Sequence, residues 1–253
     1  MSARQEMRSD RHGPLTAFAV DLDRTLLRPG ARSYRAPSAV LSSVRTLGLK
    51  VVLASGREYL PLSRIARRLG TVDALVAENG AVIEAPVGTR PRAIGRTLGR
   101  RVRERLAGFS GPGAEYGEVV VSVPRRAKRE VAGLLKGLAV ELVPNVDRIM
   151  VLPRGVTKAT GTRRAVRALR LGSRHFAAIG DAENDLALLR AASLSGAVGN
   201  AEPGVRAVAD YVCRARYAAG VAEFVNGPVS RYLAPRRRGG VGRFDGRPAR
   251  PGE

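Results

Sequence analysis

The sequence predicts an α/β fold, with a Rossmann-like parallel-sheet core and an inserted small α/β cap domain. Short apolar runs alternate with amphipathic helical patterns over most of the chain, which is typical of strands buried between helices on both faces of a parallel sheet. The stretch from about residue 82 to 154 has helix and strand patterns of its own. We therefore expect a core formed by residues 15–81 and 155–226, with residues 82–154 as the cap.

The first half of the core contains three short apolar runs separated by two helical patterns. In each helical pattern, apolar residues recur at intervals of three and four and therefore share one face. A glycine follows each pattern and can end the helix. The predicted strands span residues 17–20, 50–54 and 74–77, and the predicted helices span residues 37–47 and 62–69.

The second half of the core repeats this alternation, and the cap has two helical stripes and three apolar runs. In the core, we predict strands at residues 176–179, 195–198 and 211–213 and a helix around residues 186–190. In the cap, the helical stripes begin at Ile94 and Val131, and the predicted strands span residues 118–123, 140–143 and 148–152.

The ends of the chain and its overall composition limit the class of protein. Residues 1–14 are predicted to be disordered because they are polar and Arg-rich, and the basic tail 227–253 because Arg, Gly and Pro dominate and apolar residues are sparse. The single cysteine, Cys213, excludes an internal disulfide and a multi-cysteine metal site. No apolar run approaches the ~18 residues of a membrane span, and the N-terminus lacks the apolar stretch of a secretory signal. The sequence therefore predicts a cytoplasmic protein without a membrane partner.

The formal net charge of +22 raises the question of a nucleic-acid partner. The arginines are scattered along the chain rather than gathered on one helix or loop, and aromatic residues, on which bases stack, make up only 4%. We therefore expect a solvated basic surface. A basic nucleic-acid-binding protein with an inert fold remains the alternative, and the oligomeric state is left open.

Two acidic residues follow the first predicted strand, in the segment Asp-Leu-Asp-Arg-Thr. Asp21 and Asp23 lie where ligands of parallel sheets bind, beyond the carboxyl end of a strand. Crowded carboxylates need a cation to stay ionised, and hard oxygen ligands suit Mg²⁺. The alternative is a helix N-terminus, where acidic residues are favourable in any case.

Ser55 and Lys158 are candidates for binding an anion. Ser55 follows the second predicted strand, and its hydroxyl could hold a phosphate oxygen; a simple helix N-cap is the alternative. Lys158 opens a predicted helix, and its ammonium could offset phosphate charge as a point cation. An ordinary surface lysine is the alternative, but lysine is rare in this chain, which favours a function for Lys158.

Residues 180–185, with the sequence Gly-Asp-Ala-Glu-Asn-Asp, follow the strand predicted at residues 176–179. The glycine allows a tight turn, and three acids and an amide then crowd one strand end. An acidic loop that caps a helix is the alternative. Because such a concentration of acids is unusual in an arginine-rich chain, we favour a cation site that contains Asp181 and Asp185.

The order of these segments resembles the haloacid dehalogenase-like (HAD) superfamily of phosphohydrolases. The pattern D-x-D-x-T, then Ser, then Lys, then G-D-x-x-N-D covers about residues 15–226. The stretches AENGA at residues 77–81 and MVLP at residues 150–153 are similar to segments of the Cof-type branch, with sucrose-phosphate phosphatase and the archaeal-type phosphoglycolate phosphatase as relatives. In that branch a large cap lies between the second and third motifs, as residues 82–154 do here.

The resemblance implies a role for each motif residue. Asp21 would be the nucleophile that forms an aspartyl-phosphate, and Asp23 would protonate the leaving alcohol and then activate water. Mg²⁺ would be bound by Asp21, the backbone carbonyl of Asp23 and Asp181, with Asp185 orienting this set of ligands. Ser55, Lys158 and Asn184 would contact the phosphate, Thr25 would support the nucleophile loop, and Arg57, Glu78 and Asn79 are candidates for contacting the substrate.

One position departs from the family pattern. The residue between the second aspartate and the threonine is most often Gly in this family, and here it is Arg24. Because a non-Gly residue rarely adopts a positive φ, Arg24 argues against an obligatory positive φ. We expect a tolerated loop residue that could pair with an acid or reach the substrate.

These observations predict a Mg²⁺-dependent phosphatase that hydrolyses a small phosphorylated metabolite, of the sugar phosphate or phosphoglycolate type. A phosphotransferase or mutase of the same fold, which would pass the phosphoryl group to a sugar hydroxyl, is the alternative with the same chemistry.

Overall fold

The computed structural model of the chain describes residues 13–94, 98–107, 109, 113–117, 119–145, 147–172 and 174–234. The helices and strands are, in chain order, β1 (Leu15–Asp21), α1 (Arg35–Thr46), β2 (Lys50–Ala54), α2 (Tyr59–Leu69), β3 (Ala74–Ala77), β4 (Val82–Glu84), β5 (Arg92–Ala93), α3 (Arg100–Ala107), β6 (Glu115–Tyr116), β7 (Val121–Pro124), α4 (Lys128–Leu134), β8 (Val140–Asn145), β9 (Arg148–Pro153), α5 (Lys158–Ala168), β10 (His175–Gly180), α6 (Leu186–Ala191), β11 (Leu194–Ala197), α7 (Pro203–Arg206), β12 (Tyr211–Val212), α8 (Tyr217–Phe224) and α9 (Ser230–Leu233).

The core is an eight-stranded sheet with the order β12-β11-β10-β1-β2-β3-β4-β5. The strands from β12 to β3 pair in parallel. The four residues from Ala17 to Val20 in the central strand β1 are fully buried, which explains why their sequence is a continuous apolar run without alternation. The predicted α/β class with a parallel-sheet core is confirmed.

The predicted start of the cap at residue 82 is wrong, because β4 and β5 belong to the core sheet. Both strands pair antiparallel, β4 with β3 and β5 with β4. A 3₁₀ turn at Glu78–Gly80 reverses the chain directly after β3. The three-residue strand β4 then returns along its neighbour, a reversal for which the alternation of longer elements gave no signal.

The cap contains a four-stranded antiparallel sheet with the order β6-β7-β9-β8. Its helices are α3, which precedes β6, and α4, which lies between β7 and β8 in the chain. Its own apolar cluster includes Leu106, Val131 and Ile149. The predicted helical stripe beginning at Ile94 is wrong at its first two members, Ile94 and Leu98, because α3 begins at Arg100. Ile94 packs into the core cluster and Leu98 into the cap cluster. A separate cluster of this kind is what a small inserted domain needs to bury its helix faces.

The predicted disordered ends lie mostly outside the described residues, but the described part of the tail is helical. The segment Val225–Val229 continues α8 as a π-helix and leads into α9. Val225 and Val229 are fully buried, and the Tyr232 hydroxyl donates to the Gly13 carbonyl at 3.3 Å. The boundary predicted at residue 227 is therefore wrong, because packing on the core outweighs the helix-breaking tendency of Gly and Pro in this stretch.

None of the helices in the described part of the chain has the length and apolarity that crossing a bilayer requires. The cytoplasmic location stays a prediction.

The sheet register brings the candidate site segments to one edge. Asp21 pairs with Ala54 in β2, and Val20 pairs with Ile179 in β10. Because these strands are parallel, the loops that follow β1, β2 and β10 leave the sheet at the same carboxyl edge.

The start of α5 packs so closely against the core that only glycine fits at position 161. A Cβ at Gly161 would lie 2.6 Å from Cγ1 of Val76 and 2.7 Å from Cα of Gly80. Because backbone cannot yield as a flexible side chain can, we expect Gly161→Ala to lower the free energy of unfolding by about 1–3 kcal/mol in urea titrations.

Gly133→Ala in α4 is the matched control for this prediction. Nothing lies within 4 Å of a Cβ added at Gly133, so this variant should be neutral or more stable by up to about 1 kcal/mol. Equal urea midpoints for the Gly161 and Gly133 variants would contradict the close packing of α5.

Candidate active site

Lys158 and two aspartates form a buried ion cluster at the carboxyl edge of the core sheet. The Lys158 Nζ donates to Oδ1 of Asp21 at 2.7 Å and to Oδ1 of Asp185 at 2.6 Å. All three residues are buried. A capping box between Thr157 and Thr160 fixes the first turn of α5, from which Lys158 projects. The lysine predicted from its rarity is therefore not a surface residue.

Asp185 is held by the turn that follows β10. Its Oδ2 accepts from the backbone N–H groups of Asp181 at 3.0 Å and Ala182 at 3.2 Å. A Cβ at Gly180 would lie 2.5 Å from Cγ of Asp185. Glycine at position 180 therefore makes the room in which this carboxylate folds back onto the end of the strand.

Asp181 has one satisfied oxygen and one open oxygen. The Thr25 hydroxyl donates to its Oδ1 at 2.8 Å. Among the described residues, its buried Oδ2 has no hydrogen-bond partner, and the nearest cation is the Arg24 guanidinium, with Nε at 3.4 Å. A buried carboxylate oxygen without a hydrogen bond is costly unless a ligand or ion completes it.

Burial in this cluster raises the pKa values of Asp21 and Asp181. Burial raises the pKa of Asp21 well above its usual range; the Lys158 charge opposes this, and the Asp185 and Asp181 charges reinforce it. Burial and the Asp185 charge raise the pKa of Asp181 to about 6, against the lowering effect of the Thr25 hydrogen bond. Burial alone would lower the pKa of Lys158, but the charges of Asp185 and Asp21 outweigh it and raise that pKa.

The acidic cluster fits a divalent cation. Asp21, Asp181 and Asp185 each offer a carboxylate oxygen, and these atoms lie within 4.8 Å of one another. With Lys158 as the single buried ammonium, three ionised carboxylates leave a net charge of minus two. A divalent ion would balance that charge and complete the open oxygen of Asp181, and hard oxygen ligands of this kind suit small divalent cations.

The Asp23 side chain lies outside this cluster and pairs with Arg57. Arg57 Nε donates to Oδ2 of Asp23 and Nη2 donates to Oδ1, both at 2.7 Å. The hydrogen bond to Asp23 raises the pKa of Arg57. Both side chains are a little more than 40% exposed, so this forked pair stands at the rim of the site, where solutes can reach it.

Ser55 lies at the end of β2, opposite the nucleophile candidate. It is buried, and its Oγ accepts from the Arg57 backbone N–H at 3.2 Å. Its backbone N–H donates to the Val76 carbonyl at 2.8 Å, while its own carbonyl accepts from the Asn79 N–H at 3.0 Å. These backbone bonds tie the loops after β2 and β3 to each other and fix the position of the hydroxyl.

Amide side chains join the core to the tip of the cap hairpin. The Asn184 Nδ2 donates to Oδ1 of Asn79 at 3.1 Å and to Oδ1 of Asn145 at 3.4 Å. Asn79 also contacts the Sδ of Met150 in β9 at 3.0 Å. A Cβ at Gly56 would lie 2.6 Å from Nδ2 of Asn145, so the cap tip sits directly over the loop after β2.

Asn145 is the site residue that the sequence did not reveal. It lies between the strands predicted at residues 140–143 and 148–152, and nothing in its spacing separates it from other turn asparagines. Its place beside Asn184 depends on how the cap closes on the core, which local pattern does not encode.

The Glu78 carboxylate accepts hydrogen bonds from the cap backbone. Its Oε2 accepts from the N–H groups of Val119 at 2.8 Å and Val120 at 2.9 Å, and the carboxylate is buried. Glu78 and Asn79 both have positive φ, 50° and 55°, in the sharp turn that reverses the chain. In this structure Glu78 therefore links the cap to the core, and its contact with a substrate stays a prediction.

The expectation that Arg24 does not need a positive φ is wrong. Its φ is 62°. The Arg24 N–H donates to the Leu27 carbonyl and the Arg24 carbonyl accepts from Nδ2 of Asn200, both at 2.7 Å. These two bonds hold the backbone in a left-handed conformation that the side chain alone would disfavour.

A parallel α/β core that gathers an acidic cluster and a buried lysine at its carboxyl edge, beneath an inserted cap, defines a HAD-type hydrolase. The chain belongs to the haloacid dehalogenase-like hydrolase family, whose model matches residues 18–90 and 144–225. The prediction of a phosphohydrolase of this superfamily is confirmed.

Sequence relatives and solved structures agree with this assignment. The chain is 31% identical to a phosphoglycolate phosphatase of Methanothrix thermoacetophila, over 84% of this chain and 96% of the relative. It is 32% identical to the phosphoglycolate phosphatase of Halorubrum lacusprofundi, over 81% and 93%. Protein 0175 of Thermoplasma acidophilum has the same fold, with a TM-score of 0.72 and 17% identity over 85% of this chain and 98% of that one. A HAD subclass IIB sugar phosphatase aligns with a TM-score of 0.68 and 18% identity, over 86% and 98%.

Proposed function

We propose that the chain is a Mg²⁺-dependent phosphatase that removes the phosphate from a small metabolite of the phosphoglycolate type, through an aspartyl-phosphate on Asp21. The buried cluster in which Lys158 binds Asp21 and Asp185 carries this proposal. The sequence relatives, at 31% and 32% identity, support the substrate class.

Asp21 is the group that attacks phosphorus. Lys158 holds its Oδ1, which leaves Oδ2 to form the new bond. As that bond forms, the ester P–O bond breaks and Asp23 gives its proton to the leaving oxygen. Asp23 then takes a proton from water, the water oxygen bonds to phosphorus and the bond to Asp21 breaks. Inorganic phosphate leaves and the carboxylate is restored.

Asp23 must part from Arg57 before it can act as the acid. Both of its oxygens accept from the guanidinium, so a proton on either one would face a cation. A carboxylate on the substrate can take over the planar fork of Arg57, because guanidinium groups bind carboxylates with two parallel hydrogen bonds. Substrate binding would then free the Asp23 carboxylate to take up from solvent the proton that it passes to the leaving oxygen. This favours a phosphorylated acid over the phosphate ester of an uncharged alcohol.

The remaining site residues bind and enclose the phosphoryl group. Asp21, Asp181, Asp185 and the Asp23 carbonyl would hold Mg²⁺, which supplies charge stabilisation for the transferring phosphoryl group. Thr25 keeps Asp181 oriented through its hydrogen bond. The Ser55 hydroxyl and the amide of Asn184 bind phosphoryl oxygens, and Asn145 from the cap limits the entry of water.

The test uses a matched pair of substrates and control of the metal. Purified protein should release phosphate from phosphoglycolate with Mg²⁺, lose this activity in EDTA and regain it with excess Mg²⁺. We expect kcat/KM for phosphoglycolate to exceed that for ethyl phosphate, which lacks the carboxylate, by more than about a hundredfold, because an unmatched polar group is heavily penalised.

Three results would count against parts of the proposal. Activity that resists EDTA would remove the metal, and equal rates for the two esters would remove the carboxylate preference. Phosphoryl transfer to an added sugar without release of inorganic phosphate would replace the hydrolase with the phosphotransferase alternative.

A further inference from the structure

We propose that Arg24 is a built-in counterion of the metal site, which covers the open oxygen of Asp181 until a divalent cation displaces it. The inference rests on the metal site of the proposed function and concerns a residue to which no role in that reaction has been given. It makes Arg24 a residue that sets how tightly the protein binds its metal.

The two carboxylate oxygens of Asp181 have different partners, one of which is fixed and one of which can move. The Thr25 hydroxyl binds Oδ1 at 2.8 Å and is buried. Arg24 approaches Oδ2 at 3.4 Å without a hydrogen bond, and its side chain is 31% exposed. Arg24 therefore has a path into solvent, while Thr25 keeps Asp181 in place. Exchange of the guanidinium for a metal ion needs the movement of one side chain only.

The backbone of Arg24 is fixed so that the side chain points at the cluster. Its left-handed φ of 62° is unfavourable for a non-Gly residue, and it is maintained by the bonds to Leu27 and Asn200. An observed strained residue beside a site is a reason to ask what its side chain does there. Here the guanidinium approaches Oδ2 of Asp181, a buried carboxylate oxygen that has no hydrogen-bond partner among the described residues.

The charge balance gives the expected direction of the effect. In the fully ionised state that binds a cation, the three carboxylates and the Lys158 ammonium have a net charge of minus two without Arg24, and the guanidinium reduces this to minus one. A bound divalent ion must then displace or repel a cation that already neutralises part of the site. Arg24 should therefore weaken divalent binding, and its removal should strengthen it.

The variants separate charge from backbone strain. Arg24→Asn removes the charge with a residue that tolerates left-handed φ, Arg24→Gly removes both the charge and the strain, and Arg24→Lys keeps the charge. We expect the Arg24→Asn and Arg24→Gly variants to bind Mg²⁺ about tenfold more tightly than the wild type. This corresponds to a difference of about 1.4 kcal/mol in the free energy of binding. The Lys variant should stay within about twofold of the wild type, since its charge is unchanged. Arg28→Asn, at a nearby exposed position, is the control for the loss of one charge.

The measurement is calorimetric titration of the full-length, substrate-free protein with MgCl₂, with circular dichroism to verify folding. Unchanged affinity in Arg24→Asn and Arg24→Gly would overturn the proposal, as would an equal gain in Arg28→Asn. If the wild type hydrolyses phosphoglycolate with Mg²⁺ while the Arg24 variants show no gain, only this inference fails. If neither wild type nor variants bind Mg²⁺ and hydrolysis is absent, the metal site of the proposed function fails with it.

Discussion

Asp21→Asn is expected to lower kcat for phosphoglycolate by at least about a thousandfold, because loss of a nucleophile removes the covalent route altogether. The stability of the Asp21→Asn protein, in contrast, should not fall. Burial and the neighbouring carboxylates disfavour the charged form of Asp21, and the amide oxygen can still accept from Lys158. In EDTA, we therefore expect urea unfolding of this variant at the same or a higher midpoint than the wild type. Phosphate release and the urea midpoint, measured together, test this opposition.

Glu104→Gln is the control for Asp21→Asn. Glu104 lies on the cap helix α3 with its side chain 56% exposed, so the same loss of a carboxylate should change neither activity nor stability measurably. An Asp21→Asn protein that kept more than about a tenth of wild-type activity would remove Asp21 from the mechanism, since nucleophile variants lose far more.

Lys158→Met should cost both stability and activity. The substitution keeps an unbranched side chain that is one atom shorter, but it leaves Asp21 and Asp185 buried without their shared cation. Removing one partner of a buried ion pair costs about 3–5 kcal/mol, and we expect a loss of this size in urea titrations in EDTA. The loss of a cation facing the phosphoryl group should also lower kcat by at least about a hundredfold.

Lys128→Met is the control for Lys158→Met, and added Mg²⁺ tests whether the missing charge causes the loss of stability. Lys128 is exposed at the start of α4, so its replacement should leave the urea midpoint unchanged. Mg²⁺ should restore part of the stability of Lys158→Met, because a divalent ion can replace the missing charge among the carboxylates. A Lys158→Met protein as stable as the Lys128 variant in EDTA would contradict the buried cluster.

The parts of the fold that could be predicted are those that local pattern determines. The strand β1 is buried on both faces, and its continuous apolar run shows this directly in the sequence. Because parallel strands end at one edge, the polar residues after β1 and β10 could be assigned to one site before their contacts were known. Each of these inferences needs only the periodicity of a segment and the topology of a parallel sheet.

The parts that could not be predicted depend on tertiary contacts. The positive φ of Arg24 follows from bonds to Leu27 and Asn200, which override the steric preference of the residue. Asn145 reaches Asn184 only because the cap closes on the core. Pro228 lies inside a helical segment where isolated sequence predicts a disordered tail, because the buried neighbours of that segment pack on the sheet.

The most direct test of the account is to trap the phosphoryl group on Asp21. Asp23→Asn should accumulate the intermediate from p-nitrophenyl phosphate, because the nitrophenolate leaving group needs no proton from Asp23, whereas hydrolysis of the intermediate still needs Asp23 to activate water. After acid quench with ³²P-labelled p-nitrophenyl phosphate and Mg²⁺, we expect nearly one phosphoryl group per chain, mapped by mass spectrometry to Asp21 and absent from Asp21→Asn. Label on another residue, or rapid phosphate release in the wild type with no label on Asp21 at any quench time, would contradict the account.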